Sequence, residues 1–358
     1  MKKRLEYMDM VKGIGILSIV AAHSKAVPEQ VATWIASFAP PLFFMVSGML
    51  IGCTGEAERA GRDVLRRKAR SLLIPFLYFS VLYILRDIPI VMAGILNEEE
   101  LYLEGIYLVS LWGSSVLWFL PALFLTEMLF LVLRRKLNTA WTCIVVALLT
   151  VVSYFVNGAL QGQEAFFMSG VLLEVLYCLM RTVLRALHAL PYLCMGYVLF
   201  KTGRKLWEAE AGRSPGQFLV GAALFFAGIP LSVINGYFDL RLLDIGEMPV
   251  LAYLSAPLSI AGVVFMCKNI VPVKPLAYFG KNSLIVMATH IDFYFLFLAL
   301  NLAYRVNEFI PRFNRVFFFV NVVGTILILE VACIALINRY FPFLIGKRKY
   351  SHSRESLV

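Results

Sequence analysis

Long apolar runs separated by short polar segments recur along the whole chain. A run of about 20 mostly apolar residues can cross roughly 30 Å of hydrocarbon as a helix. Each such span must be helical because lipid offers the backbone no hydrogen-bond partner. The pattern predicts an all-α, polytopic membrane helix bundle with about ten transmembrane helices. These spans are 11–27, 31–53, 71–96, 114–133, 140–157, 182–200, 216–238, 249–271, 281–303 and 316–338.

A further apolar stretch, 164–181, is interrupted by Glu174 and Arg181, with Arg185 just beyond it. Charged side chains are costly in hydrocarbon, so we expect a short re-entrant or interfacial helix here. The polar loops are too short to fold alone, and no internal repeat is visible. We assign residues 1–340 to one transmembrane domain and 341–358 to a cytoplasmic tail.

The composition agrees with the pattern. Hydrophobic residues make up 60% and charged residues 16% of the 358 residues, against roughly 45–50% and about 25% in soluble domains. This excludes a disordered chain, a disulfide-stapled domain and most soluble enzymes. The six cysteines lie in or beside apolar runs without a C-x-x-C pair. They are expected to be small buried hydrophobes, and we predict no metal site.

The formal charge of +10 has a topological explanation. Of the 33 lysines and arginines, 25 fall on the N-terminal side of the predicted spans and eight on the other. The positive-inside rule then places both termini in the cytoplasm, and we expect no nucleic-acid partner. A cleaved signal peptide is an alternative at the N-terminus, but Glu6 and Asp9 favour a retained first span. The acidic run 98–100, with Glu104, is expected to be a solvated outer loop.

Two polar residues of the first span stand at helical spacing. Lys12 and His23 are eleven positions apart, close to three helical turns, so they share one face across roughly 16 Å of rise. His290 in the ninth span is predicted to lie at a similar depth. The two histidines are therefore expected to line one cavity. Asp292 points away from His290 at this spacing. Glu127 and Glu330 are also selected as ionisable candidates inside predicted spans.

Two adjacent prolines, Pro40 and Pro41, interrupt the second span. Proline lacks a backbone N–H, so we expect a break in this helix whose freed carbonyl groups need polar partners. Such a break, lined by Ser47 and Gly48, suits a cavity wall. The alternative is an ordinary kinked span.

Arg67 and Arg70 stand three residues apart before the third span. On a helix they would present two cationic forks on one side, a geometry that suits phosphate at the inner face of the membrane. A basic run that only sets the topology is the alternative.

Five segments in order resemble the acyltransferase 3 family of bacterial integral-membrane O-acyltransferases, most closely its fucose 4-O-acetylase-like branch. Lys12 and His23 match the family's basic residue and histidine in the first span, and Arg67 with Arg70 matches its R-x-x-R motif. Lysine instead of arginine at position 12 keeps the charge but loses the bidentate fork. The segments are 7–16 (YMDMVKGIGI) with His23, 41–48 (PLFFMVSG), 67–70 (RKAR), 117–123 (LWFLPAL) and 280–284 (GKNSL) with His290.

The resemblance implies transfer of an acyl group, usually acetyl from cytoplasmic acetyl-CoA, to a hydroxyl of a cell-surface sugar or lipid-linked glycan. This would be polysaccharide modification at the bacterial cell envelope, by a multi-pass protein of the inner or plasma membrane with acyl-CoA as co-substrate and no permanent cofactor. His23 would be the general base, and Lys12, Arg67 and Arg70 would hold the CoA phosphates. The expected cavity or acceptor-binding residues are Ser47, Gly48, Trp118, Glu127, Asn282, Ser283 and His290.

Several alternatives stay open at this point. Trp118, Asn282, Ser283 or His290 can donate to a developing oxyanion, and Glu127 can orient a sugar or an imidazole or simply pack inside the bundle. An acyl-histidine intermediate is an alternative to direct transfer. Intramembrane histidine and glutamate with broken helices also suit a transporter of a small polar solute or glycan. A third reading is a non-catalytic membrane sensor of the same fold.

Overall fold

The computed structural model describes residues 5–162, 170–208, 214–309 and 315–347, and side chains to the same extent except for 208 and 307–309. Within these ranges the fold is helical and contains no β-strand, which confirms the all-α prediction. The helices are α1 (Glu6–His23), α2 (Glu29–Thr54), α3 (Gly61–Lys68), α4 (Ile74–Met92), α5 (Glu98–Val109), α6 (Phe119–Lys136), α7 (Thr139–Leu160), α8 (Val171–Thr202), α9 (Arg204–Glu208), α10 (Pro215–Asn235), α11 (Pro249–Lys268), α12 (Lys274–Lys281), α13 (Ser283–Thr289), α14 (Phe295–Phe309) and α15 (Arg315–Tyr340).

Seven helical segments in the described ranges are long and apolar enough to cross a membrane. They comprise α2, the continuous α3–α4 segment, α7, α8, α10, α11 and α15. The other three predicted spans correspond to α1 and α6, which carry more charge, and to the α13–α14 pair. The structure therefore confirms a helical polytopic bundle, while the count of ten and the cytoplasmic termini stay predictions.

The ninth predicted span, 281–303, is not one helix. Helix α13 ends at Thr289, and α14 begins at Phe295 after a short turn that contains Tyr294 with a positive φ of 62°. Arg86 holds this turn because its Nη1 donates to the Asp292 carbonyl at 2.5 Å. The apolar pattern could not show the interruption, since a non-helical segment keeps the same composition when protein groups satisfy its backbone.

The break expected at Pro40 and Pro41 is wrong. Helix α2 runs without interruption from Glu29 to Thr54 through both prolines. Because neither proline has a backbone N–H, the carbonyl groups of Ala36 and Ser37 lose their helical hydrogen bonds. Packing outweighs this loss because the flanking Phe38 is buried in the core.

The prediction of a separate helix over 164–181 is also wrong for the residues that the structure describes. Residues 163–169 lie outside the described ranges, but 171–181 form the first turns of the 32-residue helix α8. Protein groups satisfy its charged side chains. Glu174 accepts a hydrogen bond from Tyr102 at 2.8 Å, and Arg181 donates to the Leu242 carbonyl at 2.7 Å.

The acidic run 98–100 forms the first turn of α5 rather than a loop, and its side chains are exposed. Negative charge is favourable at a helix N-terminus because the backbone N–H groups there carry partial positive charge. Glu104 belongs to the same helix but is half-buried, and burial raises the pKa of its carboxyl group. Ser114 donates a hydrogen bond to it.

Glycine permits close backbone contact where α2 crosses α8 and where α12 crosses α1. A Cβ at Gly48 of α2 would lie 1.9 Å from the Leu193 carbonyl oxygen of α8, and one at Gly196 of α8 would lie 1.9 Å from the Met45 carbonyl oxygen. In the same way, a Cβ at Gly280 of α12 would lie 1.7 Å from the Asp9 carbonyl oxygen of α1. Small residues let membrane helices approach backbone to backbone. These crossings hold α1 and α2 in fixed positions.

A valine at Gly196 should therefore separate α2 from α8. We expect Gly196→Val to cost about 1–3 kcal/mol, the usual range for an overpacked interior, and to lower the melting temperature of the detergent-purified protein. Gly158→Ala is the control, because a Cβ at Gly158 of α7 has open space around it. Alanine is a better helix former than glycine by up to about 1 kcal/mol, so this variant should melt at the same or a higher temperature. Equal melting of both variants would contradict the proposed crossing.

Candidate active site

One cavity of about 470 Å³ runs between α1, α2, α6 and α13. Lys12 and Lys68 line one part of it. Tyr237, Asp239 and Arg241 line another, from the segment that follows α10. In the predicted topology the first pair lies at the cytoplasmic side and the second group at the outer side. The cavity thus links the two predicted faces of the bundle.

Helix α1 supplies one wall. Lys12, Ile16, Ile19 and His23 all line the cavity, and their spacing of three to four residues places them on one helical face. The expected common face of Lys12 and His23 is therefore present. His23 is the last residue of α1, at the end of this wall.

His23 and His290 meet across the cavity wall. Nδ1 of His23 lies 2.9 Å from Nε2 of His290, and the two rings stack with centroids 5.2 Å apart. His290 is fully buried, directly after the C-terminus of α13, whereas His23 is partly exposed to the cavity. The structure brings together the two histidines that the sequence analysis placed at one depth.

The hydrogen bonds fix the tautomer of both rings. Nδ1 of His290 lies 2.7 Å from the Val286 carbonyl oxygen, which can only accept, so this nitrogen carries the proton. A neutral imidazole has one donor and one acceptor nitrogen, hence Nε2 of His290 accepts from the Nδ1–H of His23. The remaining nitrogen of His23, Nε2, is then the basic one. The second histidine thereby selects which nitrogen of the first can take a proton.

A buried ionic network lines the part of the cavity that the predicted topology places toward the cytoplasm. Lys68 Nζ lies 2.9 Å from Glu127 Oε1 and 3.2 Å from Glu56 Oε2. The Ser47 hydroxyl donates to the same Glu127 oxygen. Lys68, Glu127 and Ser47 all line the cavity. Ser47 and Glu127, expected as cavity residues, thus contact each other directly, and Glu127 also contacts a lysine that the sequence analysis did not select.

The predicted phosphate-binding residues are placed differently from one another. Lys12 lines the cavity and pairs with Asp9 at 3.0 Å. Arg67 is half-exposed, lies outside the cavity lining and pairs with Glu56 at 2.8 Å. Arg70 is exposed and also lies outside the lining. Lys12 thus lines the cavity, whereas the two arginines lie outside its lining, close in the chain to the lining residue Lys68.

The sequence did contain a signal for Lys68. Val64 and Leu72, four residues to either side of Lys68, are buried. Positions i, i+4 and i+8 share a helix face, so a lysine between two inward-facing apolar residues must also face inward. The π-helical turn Ala69–Leu73 between α3 and α4 leaves this face intact, and such turns are frequent at functional sites.

The sequence analysis also did not select the charged residues at the other end of the cavity, where the segment after α10 lines it. Arg241 lies 3.6 Å from Asp239, and both line the cavity. The fully buried Arg185 of α8 donates to the Arg241 carbonyl at 2.7 Å and stacks on Trp112, with its guanidinium carbon 3.3 Å from the ring centroid. No sequence spacing connects these residues, because a turn far from α8 in the chain folds back onto it.

The remaining candidates divide into two groups. Trp118 and Ser283 line the cavity. Gly48 instead packs against α8, and Asn282 accepts a hydrogen bond from Asn338 at 2.9 Å and lies outside the lining. Glu330 is fully buried away from the cavity and accepts from the Thr289 hydroxyl at 2.8 Å.

A family model described as an acyltransferase domain matches residues 5–336 of this chain. The match covers nearly the whole chain and includes every residue of the cavity. The chain belongs to this acyltransferase family. Searches of curated proteins and of solved structures gave no match. The fucose 4-O-acetylase-like branch stays a prediction.

The family and the geometry together define what the site of this acyltransferase can do. Acyl transfer needs a base for the attacking group and a proton for the leaving group. The His23–His290 pair offers a basic nitrogen on a ring whose other nitrogen is held by a hydrogen bond. The ionic network and Lys12 supply charged groups at the end of the cavity that is predicted to face the cytoplasm, and Arg241 supplies one at the end that is predicted to face outward.

The assigned tautomers can be measured by NMR with ¹⁵N-labelled histidine, since the chain has four histidines. We expect His23 to carry its proton on Nδ1 and to show a non-protonated Nε2. His290→Phe removes the acceptor, so the His23 signals should lose this preference. His188→Gln is the control, because His188 lies outside the cavity lining and its replacement should leave the His23 signals unchanged. A wild-type His23 protonated on Nε2 alone would contradict the hydrogen-bond direction.

Proposed function

We propose that this membrane acyltransferase moves an acetyl group from cytoplasmic acetyl-CoA to a hydroxyl of a cell-surface sugar or lipid-linked glycan. The observation that carries the proposal is the His23–His290 pair, whose ring nitrogens lie 2.9 Å apart, in a cavity lined by Lys12 and Lys68 toward one predicted face and by the segment after α10 toward the other. This arrangement suits a donor and an acceptor that arrive from opposite sides. The protein would act in the bacterial cell membrane, in modification of envelope polysaccharides.

The proposed reaction uses one proton cycle. His23 Nε2 takes the proton of the acceptor hydroxyl while the hydroxyl oxygen attacks the thioester carbonyl carbon. The tetrahedral intermediate then loses the thiolate of CoA, and the His23 imidazolium returns the proton to that sulfur. Such acid–base catalysis typically contributes 10²–10⁴-fold. His290 acts on this step by holding His23 in the orientation and tautomer that the cycle needs.

Other cavity residues have supporting roles in this scheme. The Trp118 indole N–H and the Ser283 hydroxyl are candidate donors to the oxyanion of the tetrahedral intermediate, because both residues line the cavity. Asp239 and Arg241 would meet the acceptor at the outer end.

The proposed phosphate-binding cations Lys12 and Arg67 must exchange Asp9 and Glu56 for the donor phosphates. Arg70 has no carboxylate partner in the described part of the chain.

The reaction can be tested with purified protein in liposomes, labelled acetyl-CoA and a panel of glycans. We expect release of CoA thiol that depends on an acceptor, and a decrease of about 10²-fold or more in His23→Ala. His188→Gln should retain the wild-type rate, since His188 lies outside the cavity lining. Transfer by His23→Ala at the wild-type rate would exclude His23 as the base. Uptake of a solute without acetyl transfer would favour a transporter.

The phosphate-binding role of the arginines predicts a salt effect. Arg67→Ala combined with Arg70→Ala should weaken CoA binding about tenfold at low ionic strength, as expected for lost charge-assisted hydrogen bonds. The double variant should also show a smaller decrease of affinity with added salt, because salt screens the exposed charges that remain in the wild type.

The matched control is Arg62→Ala combined with Arg66→Ala, which removes two exposed arginines of the same helix. A direct phosphate contact requires the first double variant to bind CoA more weakly than the second. Equal affinities in isothermal titration would mean that Arg67 and Arg70 serve topology alone.

A further inference from the structure

Glu127 has one oxygen that its neighbours leave unused. Its Oε1 accepts from the Ser47 hydroxyl and from Lys68. Its Oε2 is buried and has no hydrogen-bond donor among the described residues. A buried carboxylate oxygen without a donor is unfavourable. Since Glu127 lines the cavity, a ligand that brings an N–H or O–H group to this oxygen would satisfy it.

Lys68 offers the complementary group next to it. Its ammonium has three N–H donors, and its contacts in the described chain are Glu127 Oε1 at 2.9 Å and Glu56 Oε2 at 3.2 Å. One N–H therefore has no assigned acceptor, and Lys68 lines the same cavity. A hydrogen-bond acceptor and a donor thus stand side by side in one wall. An amide, which carries one N–H and one carbonyl oxygen, complements both.

The position of this pair indicates which ligand brings the amide. Ser47 lies seven residues before Thr54, the predicted cytoplasmic end of α2, or roughly 10 Å of helix. Glu127 lies nine residues before Lys136, the predicted cytoplasmic end of α6, or roughly 13 Å. The pair thus stands deeper than the phosphate-binding arginines and on the cytoplasmic side of the histidines. In a CoA thioester, the pantetheine arm joins the phosphates to the sulfur, and it contains two amide groups.

We propose that Glu127 and Lys68 form a binding subsite for one amide of the pantetheine arm of the acyl-CoA donor. Glu127 Oε2 accepts the amide N–H, and the Lys68 ammonium donates to the amide carbonyl. Ser47 and Glu56 hold the carboxylate and the ammonium in place. The subsite rests on the proposed function, because it presumes a CoA donor that enters from the cytoplasm. It makes no covalent bond and takes no part in the proton cycle of His23.

The subsite can be separated from phosphate binding by isothermal titration of the full chain in detergent. CoA carries the pantetheine arm, whereas adenosine 3′,5′-bisphosphate is the matched probe without it. Glu127→Gln should bind CoA about tenfold more weakly, the effect of a lost charged hydrogen bond, and bind the bisphosphate as the wild type does. The Arg67→Ala, Arg70→Ala variant should weaken binding of both probes.

Glu330→Gln is the matched control, because it makes the same change at a buried glutamate away from the cavity. It should bind CoA as the wild type does. Lys68→Met and Ser47→Ala, which are expected to weaken CoA binding selectively, provide the same test if Glu127→Gln does not fold.

The outcomes distinguish the subsite from the function on which it rests. Wild-type affinity for CoA in Glu127→Gln or in Lys68→Met would overturn the subsite and leave the acyl-CoA donor standing. An equal loss for CoA and for the bisphosphate would also overturn it, because the effect would then not concern the arm. A wild-type protein that binds neither probe would overturn the proposed donor itself.

Discussion

The hydrogen bond between His23 and His290 is the contact on which the rest of the site depends. It joins the end of α1 to the end of α13, and it requires a chain interruption just after α13 that leaves His290 facing α1. The crossing of Gly280 with the Asp9 backbone holds α12 against α1 and so fixes the distance between the two helices. In a bundle with little water, each imidazole needs a partner. Here each ring is the other's partner, and one basic nitrogen is left for chemistry.

Charge balance is the second organising constraint. Three cations of the site are paired with carboxylates: Lys12 with Asp9, Arg67 with Glu56, and Lys68 with Glu56 and Glu127. An unpaired charge buried among apolar helices would be strongly destabilising, so these acids stabilise the cations that line the cavity. Glu56 forms ion pairs with both the half-exposed Arg67 and the cavity-lining Lys68. It therefore links the exposed and buried parts of the proposed donor path.

Much of the fold could be predicted because apolar length is a local property. The pattern located most of the long helices, and the ordered motifs indicated the family that the domain match then confirmed. The apolar pattern predicted wrongly where prolines or charged side chains suggest a helix break but the folded protein compensates for them. Packing kept α2 intact through Pro40 and Pro41, and hydrogen bonds to Glu174 and from Arg181 let α8 continue through a stretch that seemed too polar. In the site, helical spacing placed Lys12 and His23 on one face. The R-x-x-R motif did not indicate that Lys68, which lies between its two arginines, faces inward.

The sequence by itself determined that the chain forms helices suited to lipid and which residues lie on the same face of each helix. The sequence of apolar runs requires helices in lipid, and the repeat of the helix sets which residues share a face. Only the tertiary structure decided which faces meet. It paired His23 with His290, set Lys68 between Glu56 and Glu127, and brought Arg241 over the cavity through the buried Arg185. These residues stand far apart in the chain. Their contacts depend on helix crossings and interruptions that no local pattern encodes. The reason is that close backbone contacts and buried polar pairs form between different segments of the chain, not within one segment.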